Sequence, residues 1–402
     1  MLSRRDLIYG MALGCGSMAL GLPGVAFARI ESERRLVFVI LRGGMDGLAA
    51  VPPYGDPGYR EVRGPLALAA PGEAGGIIPL DRLYGLNAAL EPIAPFFKSG
   101  EALALHAVAT PYRERSHFDG QDVLENGTAT PHANASGWLN RALALHGADA
   151  ARSGLAVGQG VPLALRGSVP VQSWAPSPLP GLPPAMIAEL RALYRGDRLF
   201  AMALEEGVQS EALADETIGD QRAMGPQGPQ PNAFAKLAPE AGKLLAAARG
   251  PRVAVMECLG WDTHQGQGTA SGRMADTLRA FATGVAGLAQ SLGPSWKNTV
   301  VVAATEFGRT VHANGTGGTD HGTATAAFVI GGAVHGGRVV ARWPGLASGQ
   351  LYQGRDLAPT LDLRAALKAV LRDHLELPGE ALDRVVFPES AQVKPLDGLV
   401  RA

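Results

Sequence analysis

Continuous apolar runs, rather than alternating ones, mark Leu36 to Leu41, Ala102 to Val108, Val253 to Cys258 and Val300 to Ala304. That is the pattern of parallel strands covered on both faces. Ala326 to Ile330 is a fifth candidate. Between the last of these runs lies a stretch with helical periodicity, Met274 to Leu292, in which Met274, Leu278, Phe281, Val285 and Leu288 fall on one stripe. Leu361 to Leu375 carries Leu363, Leu367, Val370 and Leu371 and predicts a C-terminal helix closing on Pro378-Gly379. Such alternation predicts an α/β fold with a doubly wound, mostly parallel sheet between helices. Residues 183–250 differ in character. Two helical segments, Met186 to Leu204 and Ala233 to Ala248, flank the loop 219–232 with its Met-Gly-Pro-Gln-Gly-Pro-Gln-Pro core, which suggests a helical insertion or cap over the sheet.

Polar chemistry gathers where the apolar runs end, which is where open α/β sheets present ligands. The first run enters Arg42-Gly-Gly-Met-Asp46-Gly, a carboxylate with little bulk around it, suited to a cation or to an Asp-Gly turn. After the second come Arg115-Ser116-His117-Phe118. Ser116 is a candidate nucleophile flanked by an arginine able to hold an anion, and equally a candidate helix cap with Asp119 three residues on. The third enters Gly260-Trp-Asp262-Thr-His264, whose carboxylate and imidazole two residues apart suit zinc or another transition metal better than calcium. The fourth enters Thr305-Glu306-Phe-Gly-Arg309-Thr, followed by a glycine-rich loop to Gly318-Thr-Asp320-His321-Gly. Asp46, Asp262, His264, Glu306, Asp320 and His321 together supply six potential metal ligands, enough for a two-metal centre.

Charge narrows the partners. The chain has 402 residues, with 36 lysines and arginines against 37 aspartates and glutamates. Residues 1–28 read as an export signal: the pair Arg4-Arg5, an apolar stretch from Leu7 to Val25, and Ala26-Phe-Ala28 as a cleavage site. The paired arginines point to the twin-arginine translocase as an export partner. Glycines and Pro23 break the apolar stretch, so cleavage, with no stable membrane insertion afterwards, is expected over an uncleaved anchor. Removing those residues takes away Arg4, Arg5 and Asp6 and leaves 34 basic against 36 acidic groups, no field to attract nucleic acid. Of the two cysteines only Cys258 remains, which excludes an internal disulfide and reads as a small buried hydrophobe.

Taken in order after a twin-arginine signal, the segments around Asp46, Ser116, Asp262, Glu306 and Asp320 resemble the exported bacterial family catalogued as domain of unknown function 1501, over residues 33 to about 390. That family is similar in turn to the alkaline phosphatase and sulfatase superfamily. The resemblance implies a mixed, mostly parallel sheet and divalent metal ions, one or two, around a nucleophile. By it, Asp46 corresponds to a first-strand metal carboxylate, Ser116 to the nucleophile, Asp262 and His264 to ligands of the metal nearer the attacking water, and Asp320-His321 to the late histidine ligand. Glu306 stands where the superfamily usually has the Asp of an Asp-His pair, and Phe307 follows it instead of His. That departure leaves open two metals, one or none. Ser168-Val-Pro-Val-Gln172 is the nearest approach to a formylglycine signal and ends in Gln rather than Arg, which argues against a formylglycine sulfatase.

The expectation is therefore a periplasmic or extracellular metal-dependent hydrolase acting on a small anionic ester, most plausibly a phosphoric ester, with Ser116 or metal-bound hydroxide as nucleophile and Arg115 or Arg309 on the substrate's oxygens. A non-catalytic exported binding or assembly protein that keeps the fold is the alternative, and a phosphoryl-transferring mutase a third.

Overall fold

The computed structural model describes residues 33–145, 154–176, 182–218 and 232–401. The expected export segment, residues 1–28, and nearly all of the loop 219–232 lie outside these.

The main sheet contains β1 (Arg35–Arg42), β2 (Ala102–Ala109), β3 (Gly154–Val157), β4 (Gln172–Trp174), β5 (Val253–Leu259), β6 (Thr299–Ala304), β7 (Thr325–Ile330), β8 (Arg338–Val340) and β9 (Leu361–Asp362). Its spatial order is β8-β2-β7-β6-β1-β5-β3-β4, with β9 pairing alongside the end of β2. All neighbours run parallel except β7, which is antiparallel to both β6 and β2. The expected mostly parallel sheet between helices is observed, with the fifth apolar run reversed in direction. That reversal positions the site. Because β7 runs backwards, the residues before its start reach the same rim as the residues after the ends of β1, β2, β5 and β6.

Unbroken apolar composition in β1 follows from burial on both faces. Val37, Val39 and Leu41 belong to one core, and Leu36, Phe38 and Ile40 to the other. Helices α5 (Ala233–Ala246) and α6 (Arg273–Leu292) cover the first face, with Phe234, Ala241, Leu278, Phe281 and Val285 inside it. The five residues of the predicted α6 stripe are all buried. Helices α2 (Trp138–Ala144) and α7 (Leu363–Leu375) cover the second, through Trp138, Leu139, Leu367, Val370 and Leu371. Fully burying each such large side chain stabilises by about 1.5–3 kcal/mol. The predicted C-terminal helix starts two residues late, because Leu361-Asp362 pair with β2 and Asp362 caps α7 through Arg364 N.

Within residues 183–250, α5 packs into the core, whereas α3 (Pro184–Leu193) buries none of its residues. The expected single helix Met186 to Leu204 is two. Tyr194–Gly196 form a 3₁₀ turn after α3, and α4 (Arg198–Thr217) starts afresh. Among the described residues no helix is long and apolar enough to cross a membrane.

Candidate metal centre

Gly43 and Gly260 directly follow β1 and β5, whose last residues Arg42 and Leu259 are paired in register. Gly43 has φ +120°, and a Cβ there would stand 2.7 Å from Asp262 N. Only glycine permits the first-strand loop to close on the loop that carries Asp262. Across the rim, helix α1 (His117–Asn126) begins after β2, and the 320–321 segment precedes β7.

Imidazoles from three segments converge on Asp262. Its Oδ1 lies 3.6 Å from His117 Nε2, 3.2 Å from His264 Nε2 and 3.5 Å from His321 Nε2. His264 Nε2 and His321 Nε2 are 2.9 Å apart. Ligand atoms of His117, Asp262 and His321 all lie within 4.8 Å of one another, and His264, outside that group of three, reaches Asp262 and His321 through its Nε2.

Each ring is fixed at its other nitrogen. His117 Nδ1 donates to Glu306 Oε1 at 2.7 Å, His264 Nδ1 to Asp320 Oδ1 at 3.2 Å, and His321 Nδ1 to the Arg115 carbonyl at 2.9 Å. With all three Nδ1 atoms carrying the proton, the three Nε2 lone pairs and the Asp262 carboxylate point at one another. Arg309 Nη2 donates to Asp262 Oδ1, but the three lone pairs then have no donor among themselves and repel. His117 Nε2 is moreover buried without a hydrogen-bond partner. A cation resolves both conflicts, and tetrahedral zinc at about 2.0–2.1 Å from nitrogen and oxygen ligands has ligand–ligand edges of roughly 3.3 Å, close to the separations from Asp262. Histidines held by carboxylates or a carbonyl through the second nitrogen are the usual surroundings of such an ion. The residues present therefore fit a zinc-like ion.

The electrostatics divide the histidines. Burial works against protonation of His117, but the hydrogen bond and charge of Glu306, with Asp262, outweigh it and hold its pKa above the ordinary value. Burial lowers that of His321, and His117 and Arg309 add to the effect. Asp262 is pushed up by burial, yet Arg309 brings it below the usual carboxylate range. Glu306, without exposure, is likewise lowered against its burial by hydrogen bonds from His117, Thr305 and Gln121. Asp320 is lowered by Asn314 first, with His264 contributing.

The other expected site residues stand elsewhere. Asp46 caps the short helix Gly47–Ala50 with Oδ1, while Oδ2 accepts from Arg63 Nη2 at 2.5 Å and Gln267 Nε2 at 2.7 Å. Its oxygens are thus spent, and it is outside the converging group. Through Gln267, which also accepts from Thr263 and Thr319, it braces the loop bearing His264 from beneath. Arg309, expected on substrate, is buried: Nε donates to Gly44 O, Nη1 to Thr319 O, and Nη2 to Asp262 Oδ1 and to the carbonyls of Gly43 and Trp261. Arg115, also expected on substrate, is committed to Asp356 and Gln353. Ser116 occupies the N-cap position of α1 but makes no side-chain cap bond, so its hydroxyl is not used there.

Sequence reasoning missed His117 as a candidate ligand. Its signal lay in the quoted Arg115-Ser-His-Phe segment, where the neighbouring serine attracted the chemistry. His117 Nδ1 lies 2.7 Å from Glu306 Oε1. Phe307, next after Glu306, packs against the rings of His117 and His321 with centroids 4.8 and 5.1 Å away.

No match to the chain is found among curated proteins. Solved structures resemble it remotely. They include the C-terminal periplasmic domain of EcEptC from Escherichia coli in complex with zinc, at 9% identity over 77% of each chain with a TM-score of 0.39. PsFucS1 sulfatase from Pseudoalteromonas sp. matches at 13% identity over 92% of this chain and 74% of that chain, TM-score 0.39. Phosphonate monoester hydrolase of Agrobacterium radiobacter matches at 13% identity over 77% and 70%, TM-score 0.30. A family model described as protein of unknown function (DUF1501) matches residues 101–386, a span that holds all four converging residues and leaves the Asp46 loop outside, and the chain belongs to that family.

Proposed function

We propose that this protein is an exported, metal-dependent hydrolase of small anionic esters, most plausibly phosphoric esters. One zinc-like ion is held by His117, Asp262, His264 and His321. The observation that carries the reading is the meeting of three Nε2 atoms at the Asp262 carboxylate, each ring pinned at Nδ1. Bound there, the ion would supply Lewis-acid polarisation of an ester oxygen.

The chain's own residues do the rest. Ser116, beside His117 and with a hydroxyl free of capping duty, is the nucleophile: its Oγ bonds to the phosphorus as the alcohol departs, and water then releases the acid. Arg309 serves Asp262 rather than substrate. Asp262, His264 and Asp320 are each 40% exposed or more, which leaves the mouth of the site open to a ligand from solvent. The apolar leader with Arg4-Arg5 supports export through the twin-arginine translocase to the periplasm or beyond.

The test joins metal analysis to turnover on phosphate monoester, phosphate diester and sulfate ester probes. His117→Ala is expected to lose both zinc and turnover, and Ser116→Ala to lose turnover while keeping zinc. Undiminished turnover in chelator-treated protein would overturn the reading, and so would absence of zinc binding by the wild-type chain.

A further inference from the structure

His321 is the ring whose Nδ1 is held by a backbone carbonyl rather than a carboxylate, and that carbonyl belongs to a residue in an unusual conformation. Arg115 has φ +62°, the left-handed region that side chains other than glycine rarely adopt. What keeps it there is its own guanidinium. Nε donates to Asp356 Oδ2 at 2.9 Å, Nη2 lies 2.8 Å from the same oxygen, and Nη2 also donates to Gln353 Oε1 at 2.6 Å. Asp356 has no exposure, and its Oδ2 additionally accepts from Thr323 Oγ1 at 2.8 Å, two residues beyond His321. The neighbouring Arg355 donates from Nη2 to the His321 carbonyl at 2.9 Å. The 352–356 turn therefore grips the site twice, once on the residue that orients the ring and once on the backbone that carries it.

We propose that Asp356, acting through Arg115, is a positioning residue that presets His321 for metal binding. The clamp fixes the Arg115 carbonyl where it receives the Nδ1 proton and so leaves Nε2 as the lone-pair nitrogen facing Asp262. The inference rests on the metal-centre reading above and adds to it a group that touches neither metal nor substrate. Asp356 Oδ1 is buried without a hydrogen bond, although Arg355 Nη1 stands 3.3 Å away out of line. The carboxylate is thus held by Arg115 and Thr323 through one oxygen, which makes the arginine its principal partner.

Zinc affinity of the full chain, measured by competition with a chromophoric chelator, tests this beside nitrogen NMR of the His321 ring in zinc-free protein. Asp356→Asn and Arg115→Gly are expected to weaken zinc binding by about 10–100-fold. They should also shift His321 from the Nδ1–H form toward a mixture of tautomers. Arg115→Gly separates clamp from strain, because glycine accepts φ +62° freely and a purely conformational role would leave affinity intact. Arg115→Lys, which keeps charge but loses the fork, should fall between and serves if Asp356→Asn does not fold. Wild-type protein that binds zinc, together with variants within twofold of it and an unchanged ring, would overturn the clamp alone. Wild-type protein that binds no zinc would overturn the centre and the clamp with it.

Discussion

Glu306→Gln isolates what a buried charge contributes to this centre. The carboxylate accepts from Gly43 N at 2.9 Å, His117 Nδ1 at 2.7 Å and Gln121 Nε2 at 3.1 Å on Oε1, and from Thr305 Oγ1 at 2.7 Å on Oε2. Glutamine is nearly isosteric. Its carbonyl can keep the three donors on the Oε1 side, and the Thr305 hydroxyl can turn to accept from the new amide. What disappears is the negative charge behind His117. A hydrogen bond to a charged group is worth about 1.5–3 kcal/mol net against roughly 1 for a neutral one. Loss of a carboxylate behind a ligating histidine typically costs 10–100-fold in metal affinity, or about 1.4–2.7 kcal/mol. The two estimates agree in size, so zinc affinity is expected to fall by one to two orders of magnitude with little loss of fold stability. Chelator competition at fixed pH measures it. An affinity within twofold of wild type would refute the assignment of Glu306 as the group that orients and charges His117.

Three further outcomes follow from the same contacts. Gly43→Ala puts a methyl group 2.7 Å from Asp262 N at φ +120° and should cost about 1–3 kcal/mol in chemical denaturation while weakening zinc binding. Arg63→Ala leaves Asp46 buried and uncompensated and should destabilise by about 3–5 kcal/mol, yet zinc stoichiometry should be unchanged, since Asp46 lies outside the proposed ligand set. His106 and His374, both pushed by burial down to about 4, make folding pH-dependent. Their folded pKa values lie below the unfolded value of about 6.5, so the unfolded chain takes up protons first and stability is lost as pH falls from about 6.5 through 4, by about 3 kcal/mol per histidine. Urea unfolding across that window should show the loss, and His106→Gln should remove about half of it.

How much of this was legible depends on the range of the interaction. The long strands could be read because burial on both faces demands unbroken apolar residues, and β1, β2, β5, β6 and β7 match those runs to within one residue at each end. Direction could not, since Thr325–Ile330 reads the same either way. The strands of two to four residues, such as Gln172–Trp174 and Arg338–Val340, are too short to carry a period. Asp262, His264 and His321 were visible as metal-binding residue types at strand ends. The fates of Asp46 and Arg309 were not, because Arg63 and the carbonyls of Gly43, Gly44 and Thr319 are partners that only the folded chain brings within reach.

The division of the acidic residues also bears on how many ions the site takes. Four carboxylates were candidates, and the fold gives three of them other work: Asp46 neutralises Arg63, Glu306 holds His117 and Asp320 holds His264. Asp262 alone remains to face the imidazoles, and part of its charge is already answered by Arg309. A second divalent ion beside the first would need further anionic ligands to offset the repulsion between two such charges at about 3.5–4 Å. On this arrangement one equivalent of zinc per chain is the expected stoichiometry. Glu306 holds a histidine, and Phe307 beside it packs its ring against His117 and His321. Two equivalents bound with comparable affinity would contradict that account.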